Sequence, residues 1–347
     1  MVDLPPSVRI TGIGAEIPPD EITTAEVEER LGLRRFGLAP GWLEQVTGVR
    51  TRRWATPDVR PSMLAADAAR KALANAGMEA ADVDMLVFTG ITRDCLEPAT
   101  ANLVADALGA RGARVFDLVN ACNSLVDGID VAESLIRTGK AERVLVATGE
   151  RASLAIDWQA RTMEEVLESL ASLVVGDGGG AVVLERSSDP ERGVRAREFR
   201  SDAARSSHPV GGPLRREDRA CEICGGVLDP GFRCDGRDLF AAALGLLQPA
   251  METVMARTGW SYDDLDIVFC HQPTKRFVEH AAPFLGEASL AVAKLWWTAE
   301  RYGNTSTASL PLAMTEAAAA GALEPGAKVL VLAPSSGASA AAMTMVW

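Results

Sequence analysis

The chain has 347 residues, 48% hydrophobic and 24% charged, which excludes a disordered chain and leaves room for two or three domains or one large α/β domain. A formal net charge of −12 argues against nucleic acid as a main partner, because phosphate binding needs a basic surface. No apolar run reaches the roughly 18 residues of a membrane span, and Met1–Pro6 shows no signal-peptide pattern, so a cytoplasmic location and free cysteine thiols are expected.

β-Branched apolar runs predict strands at Val8–Gly12, Val83–Gly90, Arg114–Asn120, Arg143–Gly149 and Gly180–Glu185. Beyond Pro190 they recur at Gly193–Arg200, Leu265–His271, Ala291–Trp297, Lys328–Pro334 and Ala340–Trp347. Helical periodicity predicts helices at Leu64–Ala76, Ala99–Leu108, Leu125–Thr138, Leu239–Thr258 and Ala308–Ala320. Strands alternating with helices indicate a layered α/β architecture. Asp82–Phe88 echoes Asp264–Phe269, and Glu142–Ala147 echoes Ala327–Ala333. An internal duplication follows, with halves 1–188 and 189–347. The polar, Gly/Pro-rich stretch Ser201–Cys234 reads as an insertion or lid.

Cys122 stands where a predicted strand turns into an amphipathic helix. There the helix dipole and free N–H groups favour a thiolate, although a buried structural cysteine would fit the same pattern. Of only three histidines, His271 ends a predicted strand, the place where α/β sheets set functional groups; His208 and His280 lack such a setting. Asn304 lies in the loop Tyr302–Pro311 that enters a helix. Together Cys122, His271 and Asn304 can hold an acyl thioester and stabilise an enolate.

These residues carry a resemblance to the ketosynthase III family of thiolase-fold condensing enzymes. It rests on Asn120-Ala121-Cys122, Gly176–Ala181, His271-Gln272, Gly303–Ser306 and Ser336-Gly337 in that order, with Gly41–Leu43 and Thr47–Arg50 as an early segment. The stretch Thr92–Ala101 resembles the OleA branch in particular, which joins two acyl-CoAs head to head. The resemblance implies a duplicated five-layered αβαβα sandwich, an acyltransferase activity and a dimer. It implies Cys122 as acyl-accepting nucleophile, His271 and Asn304 as donors to the thioester carbonyl, and the N–H groups of Cys122 and Gly337 as oxyanion hole. From the OleA branch it implies that Glu97 reaches into the partner's site as a base. A non-decarboxylative Claisen condensation needs such a base, because no departing CO2 generates the enolate; a positioned base contributes roughly 10²–10⁴-fold. Glu97 before Pro98 also suits a helix N-terminus without catalysis.

The family implies acyl-CoA or acyl carrier protein thioesters as substrates. Trp42, Arg50, Arg52, Lys275 and Arg276 are the candidates for gripping CoA or an acidic carrier, although Val46 departs from the family's usual Arg. Asn123 after the nucleophile is a further departure. Cys221-x2-Cys224 with Cys234 and His208 lacks the spacing of a zinc site, so no metal and no cofactor is expected. Three other readings stay open: decarboxylative condensation with a malonyl thioester, acyl transfer from Cys122 to an alcohol or amine, and a non-catalytic subunit of a heterodimer.

Overall fold

The computed structural model describes residues 7–205, 209–211, 232–234 and 236–347. Two sheets form its frame. The first contains β1 (Val8–Glu16), β2 (Met85–Phe88), β3 (Arg114–Asp117), β4 (Arg143–Glu150) and β5 (Gly178–Arg186), in the order β1-β5-β4-β2-β3. The second contains β6 (Gly193–Ser201), β7 (Ile267–Cys270), β8 (Lys328–Ser335) and β9 (Ser339–Val346), in the order β7-β8-β9-β6. The parallel pairs are β2 with β3, β2 with β4, and β7 with β8, and each parallel set is flanked by antiparallel partners.

Four helices complete the frame: α1 (Pro61–Ala76), α2 (Ser124–Arg137), α3 (Gly236–Thr258) and α4 (Ser309–Ala319). The strand period of two sorts each sheet's side chains into separate cores. Met85 and Val87 join Leu125, Ile129, Leu310, Ala313, Phe269 and Val331 in a central core, so α2 and α4 lie between the two sheets. Leu86 and Phe88 pack outward with Ala65, Ala69 and Leu73 of α1. Val268 and Cys270 pack outward with Met251 and Val254 of α3. The result is the five-layered αβαβα thiolase fold, α1 and α3 forming the outer layers.

The second sheet has no full counterpart of β3. The run Ala291–Trp297, expected as a strand, forms a short helix at Ser289–Ala293 and then a single bridge between Leu295 and Val268. A short apolar run does not by itself distinguish strand from buried helix. A two-stranded ribbon pairs Asp20–Thr23 with Thr51–Trp54; its polar, four-residue strands carried no apolar alternation to reveal them. Within the expected insertion, Pro209–Gly211 pairs with Phe232–Cys234. His208, Cys221 and Cys224 lie outside the described residues; among the described residues no group of three or more His, Cys, Asp or Glu could hold a metal ion.

Candidate active site

β3 ends at Asp117 and α2 begins at Ser124, so Cys122 sits in the connecting turn just before the helix. Ala121 before it holds φ at 48°, a left-handed conformation that costs a non-glycine residue about 1–2 kcal/mol and therefore needs support. Ser124 supplies some of it. Its hydroxyl accepts from the Asn120 N–H at 2.7 Å and donates to the Ala121 carbonyl at 2.6 Å.

His271 follows Cys270 at the end of β7. The alternation that turns Cys270 outward directs His271 toward the central layer. It is 2% exposed, and its backbone N–H donates to Leu332 at 2.8 Å. Gln272 next to it is also buried. Its amide accepts from the N–H groups of Thr298 and Ala299 and donates to the Trp296 carbonyl, which anchors the chain leading to Asn304.

The Asn304 loop lies against Val174–Gly176. The Asn304 N–H donates to Val174 at 2.8 Å and the Gly176 N–H donates to Asn304 at 2.9 Å. A side chain on Gly176 would collide with the Tyr302 carbonyl, and one on Gly303 with the Val174 carbonyl. The glycines of both motifs thus serve close backbone approach beside the site.

Ser306 links the three candidates. Its hydroxyl lies 3.9 Å from the Cys122 sulfur. Its N–H donates to Asn304 Oδ1 at 2.9 Å, which leaves Nδ2 as the free, donating end of that amide. Its carbonyl accepts from the Ser309 hydroxyl at 2.7 Å, and Ser309 Oγ lies 3.0 Å from His271 Nδ1. Ser306 also holds φ at 50°. Residues 121 and 306 are the only described non-glycine positions with positive φ, and both adjoin this site. Sequence reasoning included Ser306 in a motif but gave it no role, and missed Ser309. Neither hydroxyl has a local pattern that reveals it, because their partners come from other elements.

The electrostatics differ from expectation at Cys122. A helix N-terminus alone would favour the thiolate. Instead burial pushes the thiol up to about 11, against hydrogen bonds from Ser306 and Ser335, and the Glu150 carboxylate adds to the rise. The residue keeps part of its surface exposed, so access for a substrate is compatible with this setting. Burial lowers His271 to about 4. Glu150 itself is fully buried at the end of β4. Burial raises its pKa, opposed by hydrogen bonds from Thr307, the N–H groups of Ile91 and Thr92, and the Thr92 hydroxyl. It thereby fixes the start of the loop that carries Glu97.

The oxyanion-hole candidate Gly337 lies in the β8–β9 turn. That turn is drawn to the nucleophile by Ser335 Oγ donating to Asn120 at 3.5 Å and Asn123 Nδ2 donating to Ser339 Oγ at 2.9 Å. Glu97 is exposed. Its loop is pinned by Glu150 at one end, by Asp94 accepting from Ser62, and by Asp117 accepting from the N–H groups of Thr100 and Ala101. Leu96 beside it is 89% exposed, with Ile91 and Val119 also exposed nearby.

Of the CoA candidates, Arg52 is corrected. It points inward on its strand, is fully buried, and donates to Thr24 Oγ1 at 2.9 Å and Leu173 at 3.1 Å. Burial lowers its pKa to about 10. It ties the ribbon to the body and is closed to a phosphate. Arg50 and Lys275 share Glu300 at 2.8 and 3.0 Å, and Arg276 pairs with Glu279 and lies against the Gln45 carbonyl. Trp42 opens the short helix Trp42–Thr47 that packs against the Lys275–Ala281 helix. His280 is exposed on that second helix.

On the outer face of the second sheet lies a cavity of about 560 Å³, counted with its open mouth. Apolar side chains line it, among them Leu247, Met251, Val268, Leu295 and Pro334, together with the Cys270 thiol. Cys270 and Pro334 are direct chain neighbours of His271 and Ser335, so only the thickness of the second sheet lies between the cavity and the site. No described helix is long and apolar enough to cross a membrane.

Two family models match the chain: 3-oxoacyl-[acyl-carrier-protein] synthase III over residues 116–203, and its C-terminal region over residues 255–347. The chain is 32% identical to beta-ketoacyl-[acyl-carrier-protein] synthase III of Chelativorans sp. and to that of Rhizobium meliloti, covering 97% of this chain and 98% of each relative. Among solved structures it resembles Xanthomonas campestris OleA, with a TM-score of 0.88 and 27% identity over 99% of both chains. The same OleA has been solved with bound lauric acid and lauroyl-CoA. It also resembles the Aquifex aeolicus 3-oxoacyl-[acyl-carrier-protein] synthase III, with a TM-score of 0.83 and 27% identity over 98% of this chain and 100% of that one.

Proposed function

The chain belongs to the 3-oxoacyl-[acyl-carrier-protein] synthase III family of condensing acyltransferases, and from that premise we propose that it joins two acyl thioesters by a non-decarboxylative Claisen condensation. The junction at Ser306, which links Cys122, His271 and Asn304, supports a condensing site, and the exposed Glu97 with the likeness to OleA favours the non-decarboxylative form.

In the first half-reaction His271 Nε2 takes the thiol proton. Cys122 Sγ then bonds to the carbonyl carbon of an acyl-CoA or acyl carrier protein thioester. The oxyanion lies against the N–H groups of Cys122 and Gly337, and the C–S bond to the carrier breaks, releasing a thiolate. In the second half-reaction Glu97 of the partner subunit removes the α-proton of another acyl thioester. Asn304 Nδ2–H and the now protonated His271 hold the enolate oxygen. The α-carbon bonds to the acyl-Cys carbonyl carbon, and collapse expels the Cys122 thiolate, which recovers its proton from His271. The proton on Glu97 and the released thiolate combine through solvent. The sum is one β-keto thioester and one thiol.

Trp42, Arg50, Lys275 and Arg276 form the entrance for the carrier's phosphates. The apolar cavity behind His271 takes an unsubstituted alkyl tail, consistent with a relative solved with lauroyl-CoA. The test is incubation with acyl-CoA alone. Mass spectrometry is expected to find the acyl group on the Cys122 peptide, followed by a β-keto product. Glu97→Gln is expected to keep the adduct and lose the product; normal condensation by that variant would remove Glu97 from the mechanism.

A second reading has its own support in the names of the full-length relatives, beta-ketoacyl-[acyl-carrier-protein] synthase III. Under it the product would appear only with a malonyl thioester and with release of CO2.

A further inference from the structure

His271 has two ring nitrogens, and the chemistry above depends on which one holds the proton at rest. The surroundings of Nδ1 decide this. Ser309 Oγ lies 2.7 Å from the Ser306 carbonyl and 3.0 Å from His271 Nδ1. A carbonyl only accepts, so the single hydroxyl proton of Ser309 must lie between its oxygen and Ser306. Ser309 then has only lone pairs to offer His271. Nδ1 must be the donor, and the proton of the neutral ring is placed there.

We propose that Ser309 is a positioning residue that fixes His271 as the Nδ1–H tautomer, leaving Nε2 bare to accept the Cys122 proton. Two features make the arrangement rigid. Ser309 is 3% exposed and sits at the first position of α4, so its hydroxyl has no water to turn toward. The Ser306 carbonyl is aimed by the left-handed backbone at Ser306, and the Asn304 side chain holds that conformation through the Ser306 N–H. Asn304 therefore has a second task, at its Oδ1 end, besides donating through Nδ2. The same Ser306 peptide region orients both groups: its N–H sets the amide of Asn304, and its carbonyl sets the tautomer of His271 through Ser309. The opposite tautomer would set the Nδ1 lone pair against a lone pair of Ser309 Oγ.

The inference rests on the proposed role of His271 in acylation, but its first test does not. With only three histidines, protein labelled with nitrogen-15 at histidine gives a short spectrum. His271 is identified by its loss in His271→Gln. In the resting wild-type protein its Nδ1 is expected to carry the proton and its Nε2 the lone pair. An Nε2–H ring in that spectrum overturns the proposal, whether or not any variant folds. In Ser309→Ala the ring is expected to become a mixture of tautomers, and acylation of Cys122 by acyl-CoA to slow at least about tenfold, part of the roughly 10²–10⁴-fold a positioned base supplies. Ser309→Thr, which keeps the hydroxyl, is expected to restore both. An Ser309→Ala protein with unchanged tautomer and unchanged acylation also overturns the proposal. If the wild-type tautomer is as stated yet no β-keto product ever forms, the positioning stands and the condensation reading fails.

Discussion

Cys122 and His271 shift in opposite directions for one reason: burial favours the uncharged form of each. At rest the pair is thus a thiol and a neutral imidazole across the neutral range, and in the proposed cycle the imidazolium exists only beside an anion, first the thiolate and then the enolate. Alkylation of the Cys122 peptide by iodoacetamide is therefore expected to keep rising with pH through 7, 8 and 9. A plateau at neutral pH would mean a pre-formed thiolate and would contradict the burial argument. His271 also makes the fold sensitive to acid. Its folded pKa of about 4 lies below the ordinary 6.5, so its contribution is complete above 6.5 and is lost as pH falls toward 4. The melting temperature of the wild type relative to His271→Gln is expected to drop across that window, by an amount reflecting at most roughly 3 kcal/mol. An unchanged difference would mean that the imidazole stays solvated. The candidates themselves were legible in sequence because each stands at a strand end or loop with a local signature. Their wiring was not, since Ser309 lies 38 residues from His271 and meets it only through the fold. Arg52 shows the converse: charge alone suggested an anion site, whereas its place in a two-residue alternation buried it.

At the scale of elements, one motif glycine and one cavity shape the site's surroundings. Gly303 has φ 66° and ψ −156°, a region essentially restricted to glycine, and its missing side chain leaves room for the Val174 carbonyl. Gly303→Ala is expected to destabilise the protein by about 1–3 kcal/mol or more, and to lower condensation further by displacing Asn304. Chemical denaturation and the β-keto assay measure the two effects, and a variant with full stability and activity would show that the loop does not need this approach. The cavity lies on the outward face of the second sheet, where strand alternation puts Val268 and Cys270. Filling it with Leu247→Trp is expected to spare Cys122 acylation by short acyl-CoA and to cut condensation of long acyl-CoA at least tenfold. An unchanged chain-length profile would assign the cavity to packing alone. Most strands and helices of this layered frame were readable from periodicity. The ribbon at Asp20–Thr23 and Thr51–Trp54 and the single bridge at Leu295 were not, because a four-residue polar strand and a short apolar run carry too little pattern to decide between states.

At the scale of the whole molecule, both sheets meet at one site. Cys122 comes from the first sheet's side and His271, Asn304 and Gly337 from the second, while Glu97 stands exposed on a loop braced by Glu150, Asp94 and Asp117. Exposure of Glu97 beside an 89% exposed Leu96 is what the proposed crossing into a neighbour's site requires. The net charge of −12 bears on the proposed carrier entrance, where Arg50 and Lys275 already share Glu300. Whether Glu97 acts within its own chain or across a two-fold interface is decided by mixing inactive subunits. Cys122→Ala retains Glu97, and Glu97→Gln retains Cys122. If the base acts across the interface, each mixed dimer holds one site with both groups, and random pairing returns about a quarter of wild-type condensation. If Glu97 serves its own chain, no site in any pairing has both, and the mixture stays as inactive as its components. Co-expression with two different affinity tags isolates the mixed dimer, for which the crossed arrangement predicts about half the wild-type rate.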